Sequence, residues 1–462
     1  MVQRKTAGFS RRGVLRSLVG TPLILPAILS ELLAEAPPAE SVNASSLAPK
    51  APHFPARAKR VIFLHMSGGV SHVDTFDPKP KLIADRGKTV QKDQFLTQPQ
   101  WNFKRYGKSV IEISDLFPNI GDCADDLCII RSMKNDNEDH VEATLGIHTG
   151  SVTFTRPSIG AWVSYGLGTS NQNLPSFIVI APQMPYGGSQ AWGSDFLPAI
   201  HQGTRIVPGG DPIPDLKSRA LSPEIQEMEL GLINFFNQRH LHEREPDVSL
   251  AARIKSFETA YRMQREAPEA FDLSNESDAT LKLYGLERGS TIGFAWQCLV
   301  ARRLAERGVR FIELIDSGSS KNWDAHTDMQ SCVPLAKNVD RPIAGLLKDL
   351  RSRGMLDDTL VVWTTEFGRK PFAESVGAKG RGHHPGAYSS WLAGAGVKGG
   401  MIYGQTDEYG IEVTSDPMHI HDFHATILYL LGIEHTRLTF RYGGRDFRLT
   451  DVSGRAIKEI LV

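Results

Sequence analysis

Three short apolar runs, at residues 60–66 (RVIFLHM), 309–315 (VRFIELI) and 359–365 (TLVVWTT), stop abruptly at Ser67-Gly68-Gly69, Asp316 and Glu366. Runs that are mostly apolar at successive rather than alternate positions mark strands buried on both faces. A segment of helical period precedes each of the last two runs, and residues 176–181 (SFIVIA) form a fourth strand of the same kind. Strands alternating with amphipathic helices bury both sets of apolar surface in a parallel arrangement. The expected fold is α/β, with a central, mostly parallel sheet and helices on both faces.

Helical spacing predicts elements at 115–131 (running into a short strand at 127–131), 158–168, 290–307, 335–353 and 421–431. Gly308, Gly354 and Gly432 close three of them, as glycine does when a helix ends in a left-handed turn. From 223 to 284 the pattern is helical with polar breaks near 243–247 and 275–278, and residues 182–215, rich in Gly and Pro, read as a long loop. No internal repeat is visible.

The chain has 52 basic and 52 acidic residues in 462, but the first 36 hold five of the bases and only two of the acids, leaving a body about three charges negative. A body so balanced lacks the basic face that bulk nucleic-acid binding requires, though a local basic pocket for an anionic substrate is compatible with it. Ser10-Arg11-Arg12-Gly13-Val14-Leu15-Arg16 resembles the twin-arginine export motif, followed by an apolar run at 18–33 that Gly20, Pro22 and Pro26 interrupt. The plainer reading is an amphipathic helix. Residues 1–36 are thus expected to be a twin-arginine export signal with its cleavage region at 34–36. Residues 37–56 are a Pro/Ala/Ser-rich linker and 57–462 the folded body, periplasmic or extracellular, with the export machinery as a partner. Cys123, Cys128, Cys298 and Cys332 show no metal-ribbon spacing, and buried free thiols are expected.

Ligands collect at the carboxyl ends of strands in open α/β sheets. After the first strand come Ser67-Gly68-Gly69 and Asp74; after the 309–315 strand, Asp316 and Asn322-Trp323-Asp324-Ala325-His326; after 359–365, Glu366-Phe367-Gly368-Arg369 and the loop Gly380-Arg381-Gly382-His383-His384. Asp, Glu and His gathered at one sheet edge are the ligand types of zinc or a harder divalent ion. Singly, Asp324 with His326 is a common surface pair, and Glu366 with Arg369 a salt bridge. In the tail, His421 and His424 share one face of a helix start, where a structural role is the plainer one.

Long motifs carry a family resemblance across 57–462: SGGVSHVDTFDPKP at 67–80, IRSMKNDNEDH at 130–140, NWDAHTD at 322–328, TTEFGRKP at 364–371 and RGHHPGAYSSWLAGAGVKGG at 381–400. They resemble the exported proteins grouped as domain of unknown function 1501, placed in the alkaline phosphatase and sulfatase superfamily. The resemblance implies an alkaline phosphatase-like α/β fold and hydrolysis of phosphate or sulfate esters with divalent metal. Zinc is the first choice, and calcium, magnesium and manganese remain open; the substrate is a small-molecule or polysaccharide ester. It implies metal ligands among Asp74, Asp324, His326, Glu366, His383 and His384, with Arg369 and Arg381 on the anion. The place it assigns to a nucleophile, counted back from Thr149-Gly150, holds His140 rather than Ser or Thr. No Cys-x-Pro-Ser-Arg motif exists, so a formylglycine sulfatase is not expected, and Gly382 stands where members commonly carry Asp. A non-catalytic relative that binds sulfated or phosphorylated sugars, and a structural partner of other exported proteins, are the alternatives.

Overall fold

Alternating strand residues divide the interior into two cores. In the first strand, β1 (Arg60–His65), Ile62 and Leu64 face one apolar cluster while Val61 and Phe63 face the other, as expected of a strand covered on both sides. The computed structural model describes residues 47–462 except 92–93, 211, 214–221, 244–247 and 374–377. Among these, the central sheet has nine strands: β1, β2 (Leu127–Lys134), β3 (Phe177–Ile180), β4 (Thr204–Ile206), β5 (Phe311–Ile315), β6 (Thr359–Thr364), β7 (Tyr388–Ala393), β8 (Met401–Tyr403) and β9 (Met418–His419). Their spatial order is β8-β2-β7-β6-β1-β5-β3-β4, with β9 also on β2. Strand β1 pairs in parallel with β6 and β5, and only β7 runs against its neighbours β6 and β2. The fold is the α/β class expected, with a mostly parallel sheet and one reversed strand.

The main helices are α1 (His140–Thr149), α2 (Ile159–Leu167), α3 (Pro223–His242), α4 (Val248–Phe271), α5 (Asp278–Tyr284), α6 (Phe294–Glu306), α7 (Cys332–Ser352) and α8 (Ile420–Leu430). The break foreseen near 275–278 lies between α4 and α5, while that near 243–247 falls mostly outside the described residues. The helix expected at 115–131 is instead one turn at Pro118–Gly121 and a 3-10 turn at Ala124–Asp126 before β2. There the buried Asp340 carboxylate accepts the N–H groups of Asn119 and Ile120 at 3.0 and 2.8 Å. Tertiary hydrogen bonds outweigh local propensity. The loop at 182–215 contains β4, which the sequence did not signal.

The export signal expected at 1–36 lies outside the described residues, as does the expected linker up to residue 46. Residues 47–56 run along the body, with Leu47 buried and its carbonyl accepting Thr169 N–H at 2.9 Å. All four cysteines are free and buried. No helix among the described residues is long and apolar enough to cross a membrane.

Candidate metal centre

Strands β1, β5 and β6 lie side by side and end together, so the segments that follow them meet at one edge. Ser67 N–H bonds Asp316 Oδ1 at 3.0 Å, Gly68 N–H bonds Glu366 Oε1 at 2.8 Å, and Trp323 N–H bonds Ser67 O at 3.0 Å. Gly68 has φ +112°, and a Cβ there would lie 2.7 Å from the backbone nitrogens of Trp323 and Asp324. Glycine is required at this position by both conformation and space. Asp316, with Oδ2 taking Trp323 Nε1–H at 2.6 Å, fastens the crossing; burial pushes its carboxyl up to about 6 despite bonds from Ser67 and Trp323.

Onto this edge α1 brings His140. The Asp139 side chain caps the helix by accepting Val141 N–H at 2.9 Å, which makes His140 its first residue. The His140 ring stacks on Tyr186, with centroids 4.1 Å apart and planes 9° from parallel, and Phe367 flanks it at 4.8 Å. Its Nδ1 is 2.8 Å from Glu366 Oε1. Its Nε2 is buried without a hydrogen-bond partner, Asp324 Oδ2 lying 3.3 Å away.

Asp324 Oδ1 is 2.9 Å from His326 Nε2, 3.3 Å from His383 Nε2 and 2.6 Å from an Arg369 Nη2. His326 Nε2 and His383 Nε2 are themselves only 2.9 Å apart. His383 is aimed by Glu138 O on its Nδ1 at 2.7 Å and by the two-residue ladder that pairs Gly368–Arg369 with His383–His384. Ring nitrogens of His140 and His383 thus converge on the Asp324 carboxylate, each 3.3 Å from one of its oxygens and close to the ~3.3 Å between two ligands on a tetrahedral zinc, with His326 Nε2 alongside Asp324 and His383. One atom each of His140, Asp324 and His383 lies within 4.8 Å of the others. An unpartnered buried nitrogen, two ring nitrogens facing each other, and a borderline-to-hard donor set of imidazoles and a carboxylate fit a divalent cation.

The charges agree. Burial opposes ionisation of Asp324, but the adjoining His140 and His383 rings and the Arg369 guanidinium hold its carboxyl well below the usual range. Burial likewise opposes the Glu366 charge, and the His140 bond with the nearby His65 ring overcomes it, bringing the carboxyl down to about 2. For His140, burial favours the neutral ring, yet the Asp324 carboxylate facing Nε2 and the bond to Glu366 raise its pKa.

Of the residues expected to act here, the structure gathers His140, Asp324, His326 and His383. Glu366 belongs to the same cluster but one layer out: it holds the far nitrogen of His140 instead of facing the other donors. Three others are elsewhere. Asp74, fully buried, is consumed by Arg381 Nε at 2.7 Å, Ser71 Oγ at 2.5 Å and Gln100 N–H at 3.1 Å. Arg381, also buried, spends its remaining donors on the carbonyls of Lys370, Thr97 and Gln98. His384 turns away to Ile411 O at 2.8 Å and packs on His72, with burial pushing its pKa down to about 3. Arg369 does reach the site but is fully buried with all its donors engaged, by Gly68 O, Gly69 O, Arg381 O, Asp324 and His326. It props Asp324 and leaves no N–H for an anion. The tail histidines are structural, His421 and His424 bonding the carbonyls of Gly150 and Ile147 at 2.8 and 2.7 Å. Tyr186 was missed, since nothing in a Gly/Pro-rich loop marks one ring as the wall of a site.

The family model described as "Protein of unknown function (DUF1501)" matches residues 58–461. Among solved structures, the chain is similar to the lipoteichoic acid synthase LtaP from Listeria monocytogenes (9% identity, 85% of this chain and 77% of that one, TM-score 0.38). It is also similar to the PsFucS1 sulfatase from Pseudoalteromonas sp. (12%, 81% and 68%, TM-score 0.33). The alkaline phosphatase from the Antarctic bacterium TAB5 is a third (12%, 83% and 99%, TM-score 0.33). No curated protein matches the chain significantly. With the match spanning nearly all of the described body, the chain belongs to the DUF1501 family.

Proposed function

We propose that this DUF1501 protein is an exported, metal-dependent hydrolase of phosphate or sulfate esters, acting in the periplasm or outside the cell on a small-molecule or polysaccharide ester. The observation that carries the reading is His140. Its Nδ1 is fixed on Glu366 while its Nε2, buried and unpartnered, faces Asp324. A carboxylate on the outer nitrogen of an imidazole is the arrangement that orients metal-binding histidines and raises their basicity.

His140, Asp324, His326 and His383 would hold the ion, and a divalent cation there supplies Lewis acidity toward an anionic ester. Glu366 keeps the His140 proton on Nδ1, so that Nε2 presents its lone pair. Arg369 and the Gly68 turn keep the Asp324 carboxylate in place. Tyr186 and Phe367 exclude water from the back of the His140 ring, leaving the side lined by His326, about half exposed, as the approach. With both nitrogens of His140 engaged in this way, the ring is not a nucleophile, and water supplies the attacking oxygen.

Burial and internal pairing of Arg369 and Arg381 favour a second reading, a metal-binding relative without turnover, because neither guanidinium reaches an ester oxygen. One experiment separates the two: chelator-stripped protein reloaded with zinc or manganese is assayed on aryl phosphates and aryl sulfates. Turnover that returns only with metal and is absent in Asp324→Ala supports hydrolysis. Turnover independent of both sinks it, and metal uptake with no turnover on any ester selects the second reading.

A further inference from the structure

A cavity of about 370 Å³ lies away from the metal centre, between Asp77, Lys79, Arg131, Gln405, Thr406, Ser415 and Asp416. Its size is that of a small-ligand site. Arg131 projects into it from β2, its side chain only 15% exposed. Its Nε donates to Phe76 O at 2.7 Å, yet among the described residues neither terminal nitrogen has an acceptor. A half-buried guanidinium whose two terminal nitrogens are left open toward a cavity is a two-pronged donor placed for a ligand.

The charges point to its sign. The buried Asp77 carboxylate is shared: Lys79 Nζ lies 3.0 Å from its Oδ1 and Arg131 Nε 3.6 Å, while Thr406 Oγ1 donates to Oδ2. One buried carboxylate therefore faces two cations. The other acids near Arg131, Asp416 at the rim and Glu112, are open to water, which screens them. Gln405 and Ser415 add side chains with no hydrogen bond to other described residues, suited to hydroxyl groups. The pocket is not part of the metal centre. His72 separates the two, its carbonyl taking Asp77 N–H at 2.9 Å while its ring packs on His384.

We propose that this pocket binds an acidic sugar, its oxyanion held by the fork of Arg131 with Lys79 alongside and its hydroxyls by Gln405 and Ser415. A planar guanidinium grips a carboxylate or sulfate through two parallel bonds, which a lysine cannot reproduce. The site is independent of whether the metal centre is catalytic.

The test is calorimetric titration of the whole protein with glucuronate, glucose 6-sulfate and glucose. Binding of one or both acids without glucose is expected, weakened at least tenfold in Arg131→Gln and less in Arg131→Lys and Lys79→Gln. His326→Ala, which alters only the metal centre, should leave it unchanged. Glucuronate alone assigns a uronate, the sulfate alone a sulfated sugar. No binding of either acid overturns the proposal, as does equal binding of glucose or unweakened binding by Arg131→Gln. If Arg131→Gln fails to fold, undiminished binding by both Arg131→Lys and Lys79→Gln overturns it equally.

Discussion

His140 Nδ1 and Glu366 Oε1 lie 2.8 Å apart inside the protein, and the same carboxylate oxygen also takes the Gly68 N–H. One atom thus ties the start of α1 to the ends of two strands and fixes which nitrogen of His140 faces Asp324. Glu366→Gln keeps the shape but removes the charge that holds the proton on Nδ1. Zinc affinity, measured by competition with a chelating dye, should fall about 10–100-fold, the usual cost of an outer partner of a metal-binding histidine. Unchanged affinity would mean that Glu366 only supports the fold.

Acid stability follows from the same carboxylate. The folded pKa of Glu366 is about 2, below its ordinary value, so its charge stabilises the metal-free protein above about pH 4.5 and that contribution is lost as pH falls toward 2. Between pH 6 and pH 3, wild type should lose more unfolding free energy than Glu366→Gln in urea titrations. A parallel loss would contradict this assignment.

Deeper under α1, His148 Nε2 and Glu313 Oε1 are 2.7 Å apart and both almost fully buried. Burial favours a neutral imidazole, but Glu313 outweighs it and raises the His148 pKa. Glu313→Leu leaves the His148 ring neutral with a buried nitrogen unpaired and should cost about 1–3 kcal/mol, of which the double variant with His148→Leu recovers most. A double variant no better than the single one would refute the pairing.

Asp74 and Arg381 form a second buried pair at 2.7 Å, beside the donor cluster but with neither side chain facing it. Arg381→Met should destabilise the protein by about 3–5 kcal/mol in urea titrations while metal bound per folded molecule stays the same. Loss of metal from folded Arg381→Met would bring Asp74 or Arg381 back into the centre.

The strand ends were legible in sequence because β1, β5 and β6 are predominantly apolar on both faces and are followed by Ser67-Gly68, Asp316 and Glu366. That alone placed Asp324, His326, Glu366 and His383 at one edge. Helix α1 was not foreseen, because its buried side carries His140, Thr144 and His148, one helical face made of polar residues, which erases the apolar stripe. Strand β7 was hidden similarly: Ser389 and Ser390 interrupt its apolar run, and Ser390 Oγ is satisfied by Thr364 Oγ1 on β6 at 2.7 Å. His383 and His384 are adjacent yet point to opposite sides of a short strand, so composition could not separate the cluster residue from the packed one. Arg369 and Arg381 illustrate the opposite error, since charge suggests substrate contact until burial and partners are known.

The most direct test of the metal centre is elemental analysis of purified protein produced in metal-replete cells, for wild type, His140→Ala and Asp324→Ala, each shown to be folded by circular dichroism. Near-stoichiometric divalent metal in wild type, lost in both variants, is the predicted result. Folded wild type without metal, or variants that retain the full complement, would contradict it.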